Sequence, residues 1–253
     1  MISLASWNIR GLNRTPKQEE IIDVVSRNRL CMCDVLESHV NIKKLADICN
    51  KVFSNWRWTS NNSACESGNR IILGWNPGII DVMEGSLEGS GCSVKDGPWV
   101  MLDDFNAPLY VADSSVGSSN ITISMREFKE CVDKLRMSDV NRMGMRFTWN
   151  QKPNAPDGLL RKIDRVMTND SFIHKYASPY AVFQPYRISH HCPAVLKIPT
   201  NCKYRPRPFM FSNFITFNDE FQATMFQGWR QHMNGCSMFK VIKKTKNDEA
   251  LNA

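Results

Sequence analysis

Up to Pro199 the chain consists mainly of short segments in which apolar and polar residues alternate, each closed by a turn-forming or charged residue. The opening segment ISLASWN alternates in this way and stops at Arg10-Gly11, which predicts a half-buried strand. The segments CMCDVLE, RWTS and RIILGWN predict further strands in the first third of the chain.

Helices are predicted between these strands by capping residues and by an apolar period of about 3.6 residues. Residues 15–18, TPKQ, offer an N-cap at Thr15, a proline at the first helical position and a glutamine at the third. The segment NIKKLADICNKVF places its apolar residues on one helical face: Ile42, Leu45, Cys49 and Val52. The chain therefore begins in the order strand, helix, strand, helix, strand, strand.

A glycine-rich stretch, residues 84–97, interrupts this pattern. Its sequence EGSLEGSGCSVKDG has few β-branched or aromatic residues and predicts a loop. After it, PWVMLDDFN, RFTWN, LLRKIDRVMTN, YAVFQPY and PAVLKI predict strands. A capping box at residues 124–127 predicts a helix among them, with Phe128, Cys131 and Leu135 on its inner face.

Beyond Pro199 the pattern changes. The segment KYRPRPF is basic and broken by prolines, and NDEFQATMFQGWRQHM predicts an amphipathic helix. We therefore predict a globular domain over residues 1–198, followed by a basic linker and a helical connector over residues 199–253.

Composition narrows the class of protein. A chain of 253 residues can form one sizeable core, and 32 Lys and Arg against 25 Asp and Glu leave a net charge of +7, which favours polyanionic partners. The nine cysteines are irregularly spaced and predict a reduced, intracellular protein. No apolar run approaches the roughly 18 residues of a membrane span, so no membrane partner is expected.

Polar residues that could carry chemistry stand at the ends of predicted strands. Asn8, Glu37, Asp104 with Asn106, and His191 each adjoin an apolar strand, and such groups can converge on one rim of a sheet. Taken singly, each is more typical of a solvated strand end than of a functional site, because acids and amides favour turns. For Asp164, the surrounding RKIDR offers surface ion pairs as an alternative.

These segments resemble the endonuclease/exonuclease/phosphatase superfamily, and in particular the apurinic-endonuclease-like domain of plant-type non-LTR retrotransposons (LINEs). The matching words, in family order, are SWNIRGLN, LESHV, RIILGWNP, PWVMLDDFNA, RFTWNQ, LLRKIDRVMTN and ISHHCPAVL. The tail PRPFMFSNF with MFKVIKK resembles a truncated form of the connector that precedes the reverse transcriptase.

The resemblance implies an α+β fold, a two-sheet β-sandwich flanked by helices of the DNase I-like kind. It also implies a divalent cation, Mg²⁺ or alternatively Mn²⁺, held by Glu37 with the amide of Asn8. Hard oxygen ligands suit Mg²⁺. DNA is the implied partner, and no small-molecule cofactor is expected.

The resemblance further implies a role for each matching side chain. Asp104 would deprotonate the attacking water and Asn106 would hold that water in place. His191 would donate to the charge that develops on the phosphate, and Asp164 would fix the tautomer of His191. Arg146 and Trp149 lie where the family contacts DNA, although core packing is the favoured role for Trp149.

Three departures from the family pattern predict reduced activity. His190 stands where the family has aspartate, which removes a negative charge; ligation of Zn²⁺ or Mn²⁺ by His190 is the alternative. Residues 84–97 replace two strands and a helix that carry an active-site tyrosine, so some strands are predicted to be missing. Asp103 replaces a glycine of the family.

Three hypotheses about function follow. The first is a metal-dependent DNA-nicking phosphodiesterase of reduced activity, nuclear if functional. The second is a non-catalytic nucleic-acid-binding module, for which basic residues of the tail give support: Arg205, Arg207, Lys240, Lys243, Lys244 and Lys246. The third is an inactive remnant of a mobile element.

Overall fold

The computed structural model describes residues 1–62, 70–82, 97–115, 120–152 and 158–200, together with Ala223, Phe226 and Gln227. The chain divides into two units, Met1–Lys203 and Tyr204–Ala253. Almost all of the predicted linker and connector, its basic residues and the glycine-rich stretch therefore lie outside the described residues. The domain boundary at residue 198 and the loss of strands near residues 84–97 stay predictions.

The described part of the first unit has the following elements in chain order. The strands are β1 (Ile2–Asn8), β2 (Met32–Leu36), β3 (Arg57–Ser60), β4 (Ile72–Trp75), β5 (Val100–Asp104), β6 (Met137–Asp139), β7 (Asn141–Gly144), β8 (Trp149–Asn150), β9 (Leu160–Arg161), β10 (Asp164–Asn169), β11 (Tyr180–Phe183) and β12 (Ala194–Ile198). The helices are α1 (Thr15–Arg27), α2 (Ile42–Phe53), α3 (Ile123–Lys134) and α4 (Asp170–Lys175).

The strands form a large and a small sheet and a short hairpin. Within the described ranges the large sheet has the order β3-β4-β2-β1-β12-β11-β7, the small sheet has the order β5-β10-β6, and β8 pairs with β9. The first strand is central, because β1 pairs in parallel with β2 and antiparallel with β12, where Ile2 lies opposite Ile198. The small sheet packs on the large one, β5 against β1 and β10 against β12.

Alternation along β1 explains the layers. Ala5 and Trp7 pack on one face of the large sheet, in a core shared with α1 and α2. Ile2 and Leu4 point to the other face, and they pack against residues of the small sheet such as Val166. A third core lies between α3 and the outer face of the small sheet. The result is helix, sheet, sheet and helix in four layers.

This architecture confirms the predicted two-sheet sandwich flanked by helices. Elements with regular apolar alternation or a 3.6-residue period lie where the sequence predicts them. The strands β6 and β7 and the short helix α4 were not predicted, because they are too short to show a period. No helix in the described part of the chain is long and apolar enough to cross a bilayer.

Four details of the helix predictions are wrong. The N-cap of α1 is Arg14, not Thr15, and α3 is capped by Thr122, whose side chain accepts from Met125 N. On α2, Ile42 is exposed. The buried face consists of Leu45, Ile48, Cys49, Val52 and Phe53. On α3, Cys131 and Leu135 are exposed, and Met125 and Val132 are the buried residues.

Candidate active site

Strand ends bring the candidate residues to one rim of the sandwich. Because β1 and β2 are parallel neighbours, Asn8 at the end of β1 and Glu37 just after β2 reach the same edge. The strand β12 runs antiparallel to β1, so His191, shortly before it, arrives at that edge too. In the small sheet, Asp104 and Asp164 lie directly opposite each other in the β5–β10 pairing.

His191 and Asp164 form a buried pair. The Nδ1 atom of His191 lies 3.0 Å and 3.1 Å from the two carboxylate oxygens of Asp164. Burial lowers the pKa of His191, but the hydrogen bond and negative charge of Asp164, with the charge of Asp104, outweigh it, so that this pKa is raised. Burial also raises the pKa of Asp164, to about 6, against the effect of His191. The pair therefore retains a proton to a higher pH than a free histidine.

Asp104 is held by two amide groups. Its Oδ2 accepts a hydrogen bond of 3.0 Å from Asn8 Nδ2, and its Oδ1 accepts one of 2.9 Å from the backbone N–H of Asn106. Asp104 Oδ2 also lies 3.7 Å from His191 Nδ1. Two carboxylates thus flank one imidazole, and each has a fixed orientation.

Buried hydroxyl groups hold the dyad in place. Thr148 Oγ1 accepts from the backbone N–H groups of Ile163 and Asp164, at 3.1 Å and 2.9 Å. Ser189 Oγ donates to the carbonyl of Asn8 at 2.6 Å and accepts from His191 N–H at 3.2 Å. Through these contacts the backbone of Asn8, His191 and Asp164 is tied together.

Three residues at this rim adopt left-handed backbone conformations. Arg10, Glu37 and Asn106 have φ values of 51°, 47° and 54°. Such conformations are disfavoured for residues other than glycine and asparagine, by about 1–2 kcal/mol for Arg and Glu. They turn the chain sharply off β1, β2 and β5, so that each side chain faces the same space.

That space is a cleft of about 160 Å³. Its lining consists of Arg10, Glu37, Asn106, Trp149, Arg161, Ile163 and His191. The Arg161 guanidinium lies over the Trp149 ring, 5.9 Å from the ring centre, and the two residues are paired across the β8–β9 hairpin. The cleft thus combines one carboxylate, an imidazole and two guanidinium groups, a set that can bind a cation together with an anion such as phosphate.

Most of the predicted site residues meet at this rim: Asn8, Glu37, Asp104, Asn106, Trp149, Asp164 and His191. Asn8, Asp104 and Asp164 contact residues of the cleft lining without lining the cleft themselves, whereas Arg146 and His190 make other contacts. Arg146 is exposed, and its Nη2 donates to the carbonyl of Ala112 at 3.3 Å. His190 is half-buried, its carbonyl accepts from Asn150 N–H, and its Nδ1 is buried without a partner among the described residues.

The prediction that the charged residues of RKIDR form surface ion pairs is wrong. Arg165 is fully buried, and it pairs with Asp113 and Asp139 on the side of the small sheet that faces α3. Lys162 is buried as well and also pairs with Asp139. Alternation along β10 therefore sends Asp164 to the site and Arg165 to the opposite face.

Five residues at the site were not predicted from the sequence: Arg10, Thr148, Arg161, Ile163 and Ser189. The two arginines could have been identified by their closeness in sequence to predicted site residues. Arg10 follows Asn8 by two residues, and Arg161 precedes Asp164 by three. Hydroxyl residues such as Thr148 and Ser189 carry no comparable signal, because serine and threonine occur in every kind of segment.

The residues at the rim fit a hard divalent cation. The carboxylate of Glu37 lines the cleft, and Asn8 Oδ1 accepts one hydrogen bond, from Arg10 N–H at 3.1 Å, which leaves a second lone pair. Asp104, Asp164 and His191 also lie within 4.8 Å of one another and could hold an ion. There, however, an ion would have to break the hydrogen bonds that both acids already make. Glu37 with Asn8 is the better fit.

No protein-family model matches the chain, and no curated protein does. Solved structures match in fold. The 3′ phosphatase NExo from Neisseria, bound to product DNA hairpin, is 14% identical with a TM-score of 0.57, covering 79% of this chain and 100% of its own.

Two further structures are similar. The AP endonuclease LMAP from Leishmania major is 9% identical with a TM-score of 0.56, covering 77% of this chain and 86% of its own. The endonuclease domain of TRAS1, a telomere-specific non-LTR retrotransposon, is 8% identical with a TM-score of 0.53, covering 78% and 97%. At these identities the likeness concerns the fold, which is the DNase I-like fold of the endonuclease/exonuclease/phosphatase type.

Proposed function

We propose that this protein is a metal-dependent phosphodiesterase that cuts the backbone of DNA, an endonuclease of the kind found in non-LTR retrotransposons. The observation that supports this most directly is the buried His191–Asp164 pair beside Asp104, at a cleft that also contains two arginines. The fold of the similar structures and the resemblance of the sequence words agree with it.

The proposed chemistry is hydrolysis of a phosphodiester. A water attacks phosphorus and gives a proton to Asp104, whose two oxygens are oriented by Asn8 and Asn106. The bond from phosphorus to the leaving oxygen breaks, and that oxygen takes up a proton from solvent. Since Nδ1 of His191 faces Asp164, its Nε2 is left to donate to a phosphate oxygen, and the raised pKa of His191 favours the protonated form.

Glu37 and Asn8 would hold the cation, Mg²⁺ or Mn²⁺. A bound divalent ion polarises the phosphate and neutralises charge on the leaving oxygen. Arg161, stacked on Trp149, would bind a neighbouring phosphate, and Arg146 would contact DNA outside the cleft. Such a protein acts where DNA is, so a nuclear location follows from the proposal.

Reduced activity is part of the proposal. His190 stands where a carboxylate is expected from the resemblance, and removal of such a group commonly lowers the rate about 10²- to 10⁴-fold. The non-catalytic module and the inactive remnant are the competing hypotheses.

Nicking of supercoiled plasmid by the purified chain in Mg²⁺ or Mn²⁺ tests the proposal. We expect slow nicking that falls at least about 10²-fold in Glu37→Gln and in His191→Ala. Arg126→Gln, at an exposed position on α3, is the matched control for loss of a charged group, and we expect it to leave the single-turnover rate within about threefold.

The outcomes separate the hypotheses. Nicking that survives in Glu37→Gln would refute the proposal. DNA binding that weakens steeply with salt, without any nicking, would support the module instead. A gain of activity in His190→Asp would identify His190 as the cause of the slow rate.

A further inference from the structure

Arg10 and Glu37 form an ion pair inside the cleft. Arg10 Nε lies 3.6 Å from Glu37 Oε2, and the side chains are 50% and 34% exposed. Both residues line the space that also contains Asn106 and His191. A guanidinium therefore faces the carboxylate that is the best candidate for a cation ligand.

The backbone builds this pair. The chain after β1 and the chain after β2 stay hydrogen-bonded beyond the strands, through Ile9 N–H to Leu36 carbonyl and Gly11 N–H to Glu37 carbonyl, at 3.2 Å and 2.7 Å. The backbone turns at Arg10 in one segment and at Glu37 in the other, next to each other, and both residues have positive φ. The pair is therefore set by two matched turns and is not a chance meeting of surface side chains.

Two further contacts fix Arg10. Its N–H donates to Asn8 Oδ1, so one residue touches both candidate cation ligands. Its carbonyl and that of Ile9 accept from Lys17 Nζ at 2.8 Å and 2.7 Å, which anchors the turn to α1. Only the guanidinium, at the end of a flexible stem, is left with freedom to move.

We propose that Arg10 is a built-in counter-cation that couples cation binding to substrate binding. With the cleft free of ligands, its guanidinium neutralises Glu37 and competes with a divalent ion for that carboxylate. When a phosphodiester enters, the guanidinium leaves Glu37 for the phosphate and gives up the carboxylate to the ion. This inference rests on the proposed function, since it assumes that Glu37 is a cation ligand.

The physical basis of this coupling is that Arg10 and a divalent cation compete for the same carboxylate of Glu37. A half-exposed ion pair is weak, so Arg10 can be displaced, but its positive charge raises the free energy of a cation beside Glu37. A phosphodiester anion offers the guanidinium a bidentate partner. Because linkage is reciprocal, DNA must then raise the affinity for the cation by the same factor as the cation raises the affinity for DNA.

Mn²⁺ binding, followed by electron paramagnetic resonance of the free ion, tests this without any turnover. We expect Arg10→Gln to bind Mn²⁺ about 3- to 10-fold more tightly than wild type in the absence of DNA. We expect a duplex oligonucleotide with uncleavable phosphorothioate linkages to tighten Mn²⁺ binding in wild type, and to do so much less in Arg10→Gln.

Two variants make the test specific. Arg126→Gln removes the same charge from an exposed position on α3, outside the cleft lining, and it should leave Mn²⁺ affinity unchanged. Glu37→Gln should abolish the Mn²⁺ site. Equal Mn²⁺ affinity of Arg10→Gln and wild type, with Glu37→Gln unable to bind, would overturn the inference alone. Undiminished Mn²⁺ binding by Glu37→Gln would overturn both the inference and the proposed role of Glu37, and plasmid nicking reports on the phosphodiesterase independently.

Discussion

Asp34 is an acidic residue on the inward face of the large sheet. It lies on β2 between Cys33 and Val35, which face the helices, so its own side chain faces the opposite way. Its Oδ2 accepts from Ser6 Oγ at 3.3 Å, while its Oδ1 is buried without a partner among the residues described. Burial, and then the charge of Asp103, raise the pKa of Asp34 to about 7.

A neutral side chain at this position should stabilise the protein at high pH. Since the folded-state pKa lies above the ordinary value of 3.8, the charge of Asp34 does no harm below about pH 4, destabilises progressively up to pH 7, and does so fully above it. We expect Asp34→Asn to raise the free energy of unfolding by about 1–3 kcal/mol at pH 8 and by little at pH 4.

Urea unfolding at pH 4, 6 and 8 measures this difference. Asp47→Asn, on the exposed face of α2, is the matched control and should show no such trend. A gain for Asp34→Asn that is equal at the three pH values would show that the charge of Asp34 is not its cause.

At the scale of residues, the sequence identifies the groups at strand ends but not the groups that hold them. Asn8, Glu37, Asp104 and His191 stand out because each adjoins the end of an apolar strand, and the family resemblance suggests their roles. The ion pair of Arg10 could not be predicted, because it depends on two positive-φ turns that lie side by side only once β1 and β2 are paired.

Thr148 connects elements that are distant in sequence. Its Oγ1 receives two N–H groups that precede and begin β10, its N–H donates to Arg161 of β9, and its carbonyl accepts from Cys192 near β12. Loss of the hydroxyl would leave two buried donors unpaired. We expect Thr148→Val to lower the free energy of unfolding by about 2–4 kcal/mol, and to slow nicking because Asp164 moves.

Thr168 provides the matched comparison. It is also fully buried, but its Oγ1 has no partner in the described part of the chain. Replacing it with valine removes an unpaired hydroxyl, so Thr168→Val should be neutral or stabilising. Equal losses in the two variants, measured by urea unfolding, would show that the hydrogen bonds of Thr148 do not account for its effect.

The contact between β4 and α2 depends on a glycine. A Cβ atom at Gly74 would lie 2.4 Å from ring atoms of Phe53, which is closer than any real contact allows. We expect Gly74→Ala to destabilise by about 1–3 kcal/mol through overpacking. Phe53→Leu should relieve the clash, so that the double variant loses less than the sum of the single losses.

Thermal unfolding of the four proteins in this cycle gives the coupling. A Cβ at Gly97 meets no atom within 4 Å, and Gly97→Ala is therefore the control for the substitution itself. If the stability losses of Gly74→Ala and Phe53→Leu simply add, the Phe53 ring moves away from the new methyl group in the single variant Gly74→Ala, and the clash does not cause the loss.

At the scale of elements, regular pattern decides what can be predicted. The strand β1, with seven alternating residues, and α2, with a clear apolar face, follow from sequence. The edge strand β7, NRMG, is mostly exposed and has no alternation, so its pairing with β11 is dictated by the rest of the sheet. Ile42 shows the reverse error, because it fits the period but lies at the solvent-exposed start of its helix.

At the scale of the molecule, the first unit should fold without the second. All the paired strands and the three cores described lie before residue 201. We expect a chain that ends at Lys203 to keep the melting temperature of the full chain within about 4 °C, the shift that roughly 1 kcal/mol would produce.

A chain that ends at Gln184 is the contrasting case. It lacks β12, which lies between β1 and β11, and it should show no cooperative thermal transition by circular dichroism. Loss of the transition in the chain that ends at Lys203 as well would mean that the second unit contributes to the fold.

The central place of β1 has a consequence for synthesis. Its two neighbours in the sheet are made at very different times, because Ile2 pairs with Ile198 while Leu4 pairs with Met32. At 5–20 residues per second the ribosome needs about 8 to 33 s to pass from Met32 to Ile198. For that interval the nascent chain carries an open strand edge, and the histidine of the site has not yet been made. An open strand edge can pair with other chains and aggregate. This topology therefore requires chaperone protection during translation and rapid removal of chains that terminate early.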